Sequence, residues 1–74
     1  MLHNGSRVSG LLTPREVEVL IHLARGRSKP EAAKLLGISV HTVNRHTTNL
    51  MAKARIHTRA DLVRWAIREK LVEP

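Results

Sequence analysis

The chain contains no cysteine, which excludes disulfide staples and thiolate metal sites and fits a reducing, intracellular home. Phe and Tyr are also absent and Trp65 is the sole aromatic, so any core has to be built from Leu, Ile, Val and Ala. No apolar run approaches the roughly 20 residues needed to span a bilayer, and the first residues lack the apolar stretch of a secretory signal. Acidic residues are scarce: six Asp and Glu stand against thirteen Lys and Arg, a net charge of +7. Such an excess in a small chain favours a polyanionic partner, nucleic acid first and an anionic membrane surface second. Catalysis finds little support. His3, His22, His41, His46 and His57 show no ligand spacing with carboxylates, there is no Cys nucleophile, and no Gly-rich phosphate loop occurs. No catalytic residue, metal or cofactor is expected.

What is present is a run of helix signals. The 74 residues, 42% of them hydrophobic, suffice for one thin domain, since a chain of this size buries only about 60% of its unfolded surface. Residues 1 to 10, MLHNGSRVSG, have no helical or strand period and read as a flexible lead or linker; residues 11 to 74 read as the domain. Thr13, Pro14 and Glu16 form a capping box with Pro at the first helical position, and Leu12 can close over Val17 as a staple. Val17, Leu20, Ile21 and Ala24 then recur at helical spacing, and Gly26 ends helix one. Ser28, Pro30 and Glu31 repeat the cap for a short helix two ended by Gly37. Ser39 caps helix three from about Val40 to Lys53, and Thr58 with Asp61 caps helix four from Arg59 to about Lys70. The expected class is all-α: a four-helix, bundle-like domain with no strands.

On a helical wheel, Val40, Val43, Thr47, Leu50, Met51 and Ala54 fall on one side of helix three. His41, Arg45, Thr48, Asn49 and Ala52 fall on the other, with Asn44 on the flank. Such a face by default only solvates a helix. Here it follows the turn Gly37-Ile38-Ser39, with small Ala33 four residues before the Gly and β-branched Val43 six after it, which is the set a helix-turn-helix requires. Short polar side chains around one Arg suit a major groove: Arg pairs with guanine O6 and N7, Asn with adenine N6 and N7, and a Thr methyl can touch the thymine methyl. Helix N-termini with nearby cations suit phosphates, which selects Ser28 and Lys29 on helix two and His41 and Thr42 on helix three, with Arg27, Lys34 and Lys53 as peripheral charges. In helix four, Ala60, Leu62, Val63, Ala66, Ile67 and Leu71 span a wide apolar arc, and Trp65 falls outside it among Asp61, Arg64, Arg68 and Glu69. That placement predicts an exposed Trp at a second subunit, with Arg64, Trp65 and Arg68 as the contact.

The motifs LTPREVEVL, LARGRS, EAAKLLGIS, HTVNRH, NLMAKARI and TRADLVRWA together resemble the C-terminal DNA-binding domain of LuxR/FixJ-type (NarL-like, GerE-like) bacterial transcription regulators, from Leu12 to Leu71. The resemblance implies a four-helix domain whose third helix enters the major groove and whose fourth mediates dimerisation on inverted half-sites. It implies that Asn44, Arg45 and Thr48 face bases and that Thr42 and Lys53 meet the backbone. It also implies a cytoplasmic, bacterial transcription regulator with double-stranded DNA, a second copy and RNA polymerase as partners and no membrane. The chain departs from the family pattern at Asn44, where Lys or Arg is common, at Ala32, where Ile is, at Ala54 and Arg55, where Leu and a small residue are, and at Pro30. Two rival readings are region 4 of a sigma factor, acting on RNA polymerase, and a basic module that binds membranes or proteins.

Overall fold

The structure, a computed structural model, describes residues 10 to 74; the expected lead, apart from Gly10, lies outside the described residues. Four helices follow in order, α1 Pro14–Ala24, α2 Lys29–Leu36, α3 Val40–Ala54 and α4 Arg59–Arg68, and there is no strand among the described residues. Each starts where a side-chain oxygen can replace a missing backbone partner. Thr13 Oγ1 accepts the Glu16 N–H at 3.1 Å while Glu16 Oε1 accepts the Thr13 N–H at 2.9 Å. Ser28 and Glu31 repeat that exchange at 3.1 and 2.7 Å. Ser39 Oγ accepts from the Thr42 N–H and Thr58 Oγ1 from the Asp61 N–H, both at 3.0 Å.

The C-termini are less uniform. Gly26 at φ +88 and Gly37 at φ +70 take the left-handed turns after α1 and α2, with the N–H groups of Arg27 and Ile38 returning to the His22 and Ala33 carbonyls. After α3 the same conformation falls to Arg55, at φ +57, and after α4 to Lys70, at φ +62. These residues stop α3 one residue later, and α4 two residues earlier, than the sequence pattern predicts.

Helix α1 is the hub, packing against all three others, and α3 packs on both α1 and α2. The buried cluster runs through Leu12, Val19, Leu20, Leu23, Ala33, Val43, Leu50, Ile56, Leu62 and Trp65. Three expectations about this core are corrected. The stripe Val17, Leu20, Ile21 and Ala24 is not the centre of the buried face of α1; Glu16, Val19, Leu20 and Leu23 are buried, and Val17, Ile21 and Ala24 are half-buried flanks. Both sets have the same i, i+3, i+4, i+7 spacing one residue apart, and the charge on Glu16 hid the true line.

Trp65 is not an exposed residue outside the apolar arc: it is only 8% exposed, with Leu62 and Ala66 at 0% on the same side of α4. In a core without Phe or Tyr, the large apolar area of the indole outweighs Ala60, which is exposed, and Val63, which is half-buried. Val40 is likewise displaced from the dry side of α3, being 40% exposed at the helix tip.

Candidate nucleic-acid interface

The turn between α2 and α3 has the composition its geometry requires. Ala33 is 4% exposed and Val43 is fully buried, so a small side chain and a β-branched one meet where the two helices cross. Ile38, half-buried against the core, follows the left-handed Gly37. Along the inner side of α3, Val43, Thr47 and Leu50 are buried, and the Thr47 hydroxyl satisfies itself by donating to the Val43 carbonyl at 2.7 Å. The helix is thereby held in one rotation about its axis.

That rotation places His41, Asn44, Arg45, Thr48 and Asn49 on the outside, where they line one shallow depression. All the residues selected for base contact, Asn44, Arg45 and Thr48, are brought together there and exposed. Among the described residues none of the five has a side-chain hydrogen bond or ion pair partner, so a guanidinium, two amides, a hydroxyl and an imidazole are open to a partner from outside. The face is narrow and shallow, with Arg45 as its only fixed charge.

The residues selected for phosphate contact are less alike than the sequence suggests. Ser28 is exposed, yet its N–H and Oγ are both engaged with Glu31. The Ser28 N–H first, and then the Ser28 hydroxyl, hold the Glu31 carboxyl below its ordinary value of 4.5, so α2 begins with a fixed negative charge and Lys29 beside it, half-buried. Helix α3 has no acid in its first turn. His41 is exposed, Thr42 is half-buried with its Oγ1 2.9 Å from Ser39 Oγ, and the first N–H groups of the helix have no intrahelical acceptor.

Lys53 does more than present a charge. Its Nζ donates to Glu16 Oε1 at 2.8 Å, the Glu16 side chain being 4% exposed and that of Lys53 38%. Burial pushes the Glu16 carboxyl up, but the Lys53 bond and the Thr13 N–H together outweigh it and hold the group below 4.5. On α4, Arg64 and Arg68 are exposed; Arg64 pairs with Asp61. Trp65 shows only an edge, at the floor of a groove lined by Leu11, Lys53, Ala54, Arg55 and Arg68.

Two structural residues escape sequence reasoning. Arg59 Nε and Nη2 donate to the Leu23 carbonyl at 3.2 and 2.8 Å, and Nη2 also reaches the Arg27 carbonyl at 2.6 Å. One side chain at the start of α4 therefore caps the end of α1. Nearby, Arg27 Nη1 donates to His22 Nδ1 at 2.9 Å, which requires that nitrogen to be unprotonated. Burial first, then the charges of Arg27 and Arg25, hold His22 below its ordinary value of 6.5. The Arg59 bonds have no local signal, because they join residues more than thirty positions apart; the Arg27–His22 bond spans five residues across the turn that ends α1. Glu16 did carry a signal, its place in the capping box, but not its reach to a residue 37 positions away.

The profile of the family described as "Bacterial regulatory proteins, luxR family" matches residues 10 to 66. Among curated proteins, the "Oxygen regulatory protein NreC" of Staphylococcus aureus strains JH9 and Mu3 is 38% identical over 63 residues. That similarity covers 85% of this chain and 29% of the relative, so the chain spans less than a third of the length of the proteins it matches. No solved structure matches the chain significantly.

Proposed function

The chain belongs to the luxR family of bacterial regulatory proteins, a family of helix-turn-helix DNA-binding transcription regulators, and on that premise we propose that it reads a duplex operator through the major groove. The observation that carries the proposal is the two-sidedness of α3. Its inner line is sealed into the core, while Asn44, Arg45 and Thr48 share one exposed depression with no side-chain partner among the described residues. In this reading Arg45 takes guanine O6 and N7, Asn44 takes adenine N6 and N7, and Thr48 offers a hydroxyl and a methyl. His41 and Thr42, at an N-terminus without a carboxylate, meet one strand of the backbone, and Lys29 beside Ser28 and the half-exposed Lys53 meet its flanks.

The regulator binds inverted half-sites as a symmetric dimer through the outer side of α4, where Arg64 and Arg68 are exposed. With Trp65 inside, that face has little apolar area, so pairing of the chain by itself is weak and the duplex holds the two copies together. DNA, a second copy and RNA polymerase are its partners, which places it in the bacterial cytoplasm; no helix among the described residues is long and apolar enough to cross a membrane.

Selection of bound duplexes from a random pool tests the reading. An enriched inverted repeat is expected. A pool that enriches nothing defeats the DNA-reading role, and a single unrepeated half-site defeats the symmetric dimer alone.

A further inference from the structure

We propose that Val40, the first residue of α3, reads the 5-methyl group of a thymine in the operator; this rests on the DNA-reading function above and names one chemical group its site recognises. Among the described residues only Leu11, Leu35 and Val40 are large apolar side chains left exposed. Leu11 rims the groove beside Trp65 and Leu35 lies on α2, so Val40 alone belongs to the helix that carries the open depression.

Nothing local accounts for a valine there. Ser39 supplies the cap through its bond to the Thr42 N–H, the core is closed behind Val43, and a β-branched residue is a poor helix former at an exposed site. The first turns of the other helices use Pro14, Arg15 and Glu16, Lys29, Pro30 and Glu31, and Arg59, Ala60 and Asp61. Only α3 opens on a bare aliphatic side chain.

The geometry gives that side chain a target. Val40 stands one turn before Asn44, which lines the depression with His41, Arg45, Thr48 and Asn49. Val40 lies outside the lining of the depression, but side chains on a helix lean toward its N-terminus, so that of Asn44 leans back toward Val40 at the tip of α3, the end that recognition helices bring to base edges. In the major groove of ordinary DNA the thymine methyl is the apolar mark. An isopropyl group one turn from an amide that suits adenine therefore reads a neighbouring A·T pair by contact, without a hydrogen bond.

The test replaces each thymine of the selected operator by uracil, which removes the methyl and nothing else. Affinity of the full chain is measured by fluorescence anisotropy for the parent, Val40→Ala and Val40→Ser, with circular dichroism confirming that each variant is folded. At one position the parent is expected to lose roughly three- to fivefold in affinity, the worth of one buried methyl, and both variants are expected to bind thymine and uracil alike there. Indifference of the parent to every replacement overturns the proposal. So does a sensitivity that survives in both variants, which would hand the methyl to Thr48. Failure to bind any duplex is a separate result that removes the DNA-reading function itself.

Discussion

Replacing Lys53 by Met keeps the length and apolar stem of the side chain and deletes the ammonium that bonds Glu16 Oε1 at 2.8 Å. Two limits bracket the cost. Removing one partner of a fully buried pair costs about 3 to 5 kcal/mol, and an exposed pair is worth about 0.2 to 1 kcal/mol. This pair lies between them, with Glu16 sealed and Lys53 open, and the Thr13 N–H continues to bond the carboxylate after the substitution. A loss of about 2 kcal/mol follows, which in a domain of this size lowers Tm by about 8 to 16 °C.

The pH dependence separates charge from packing. In the parent, Glu16 titrates below its ordinary 4.5, so its contribution is complete above that value and is lost as pH falls through the folded one. In Lys53→Met the effect of burial is no longer outweighed by the Lys53 bond, and the carboxyl titrates higher than in the parent. Thermal melts followed by circular dichroism at pH 7 and pH 3 should therefore show the parent and variant curves far apart at neutral pH and converging in acid. A double-mutant cycle with Glu16→Gln should return most of the loss as coupling energy. Equal losses at both pH values, or no coupling, would refute the assignment of an ion pair tying α1 to α3.

Arg59→Ala removes three hydrogen bonds to the Leu23 and Arg27 carbonyls and should cost about 1 to 3 kcal/mol in urea denaturation; an unchanged midpoint would show that water replaces the guanidinium. Arg55→Gly should raise stability by about 0.5 to 1 kcal/mol, because a left-handed backbone costs an L-residue about 1 to 2 kcal/mol and Gly returns part of that gain to the unfolded chain. His22 titrates below 6.5 in the fold, so the unfolded chain binds its proton first; stability should fall as pH drops from 6.5 through the folded value, and His22→Gln, which still accepts from Arg27, should flatten that slope. For DNA, Arg45→Ala should cost roughly 1 to 3 kcal/mol at one base pair and relax preference there, whereas Lys29→Ala should weaken operator and random duplexes alike. Equal losses on both duplexes for Arg45→Ala would remove its base-reading role.

Local features were legible in the chain and tertiary ones were not. All four helix starts follow from a hydroxyl at Thr13, Ser28, Ser39 or Thr58 bonding the N–H three residues on, an interaction complete within four residues. The outer face of α3 was legible for a similar reason: once Val43, Thr47 and Leu50 are inside, the 100° step puts Arg45 and Thr48 outside. A wheel does not say from which direction the neighbouring helix arrives, and this is why the centre of α1 was misplaced by one residue and Trp65 was put on the wrong side of α4. Arg59 and Lys53 bond groups on other elements, and their roles exist only after the chain has closed.

The placement of acids links these structural details to the proposed function. The chain has six carboxylate side chains, and none lies between Glu31 and Asp61, a stretch that holds the last turns of α2 and all of α3. The first turns of α1, α2 and α4 each contain one, as Glu16, Glu31 and Asp61, while that of α3 contains none. A carboxylate there would steady the helix through its dipole by about 0.3 to 1 kcal/mol, so its omission has a cost in the free protein, and that cost is recovered when phosphate occupies the same place. Glu16 also draws the Lys53 charge partly inward. If Lys53 still reaches a phosphate on binding, Lys53→Met should lower the log-log salt slope by about 0.9; an unchanged slope would assign the lysine to the fold alone and leave the backbone contacts to the N-termini of α2 and α3.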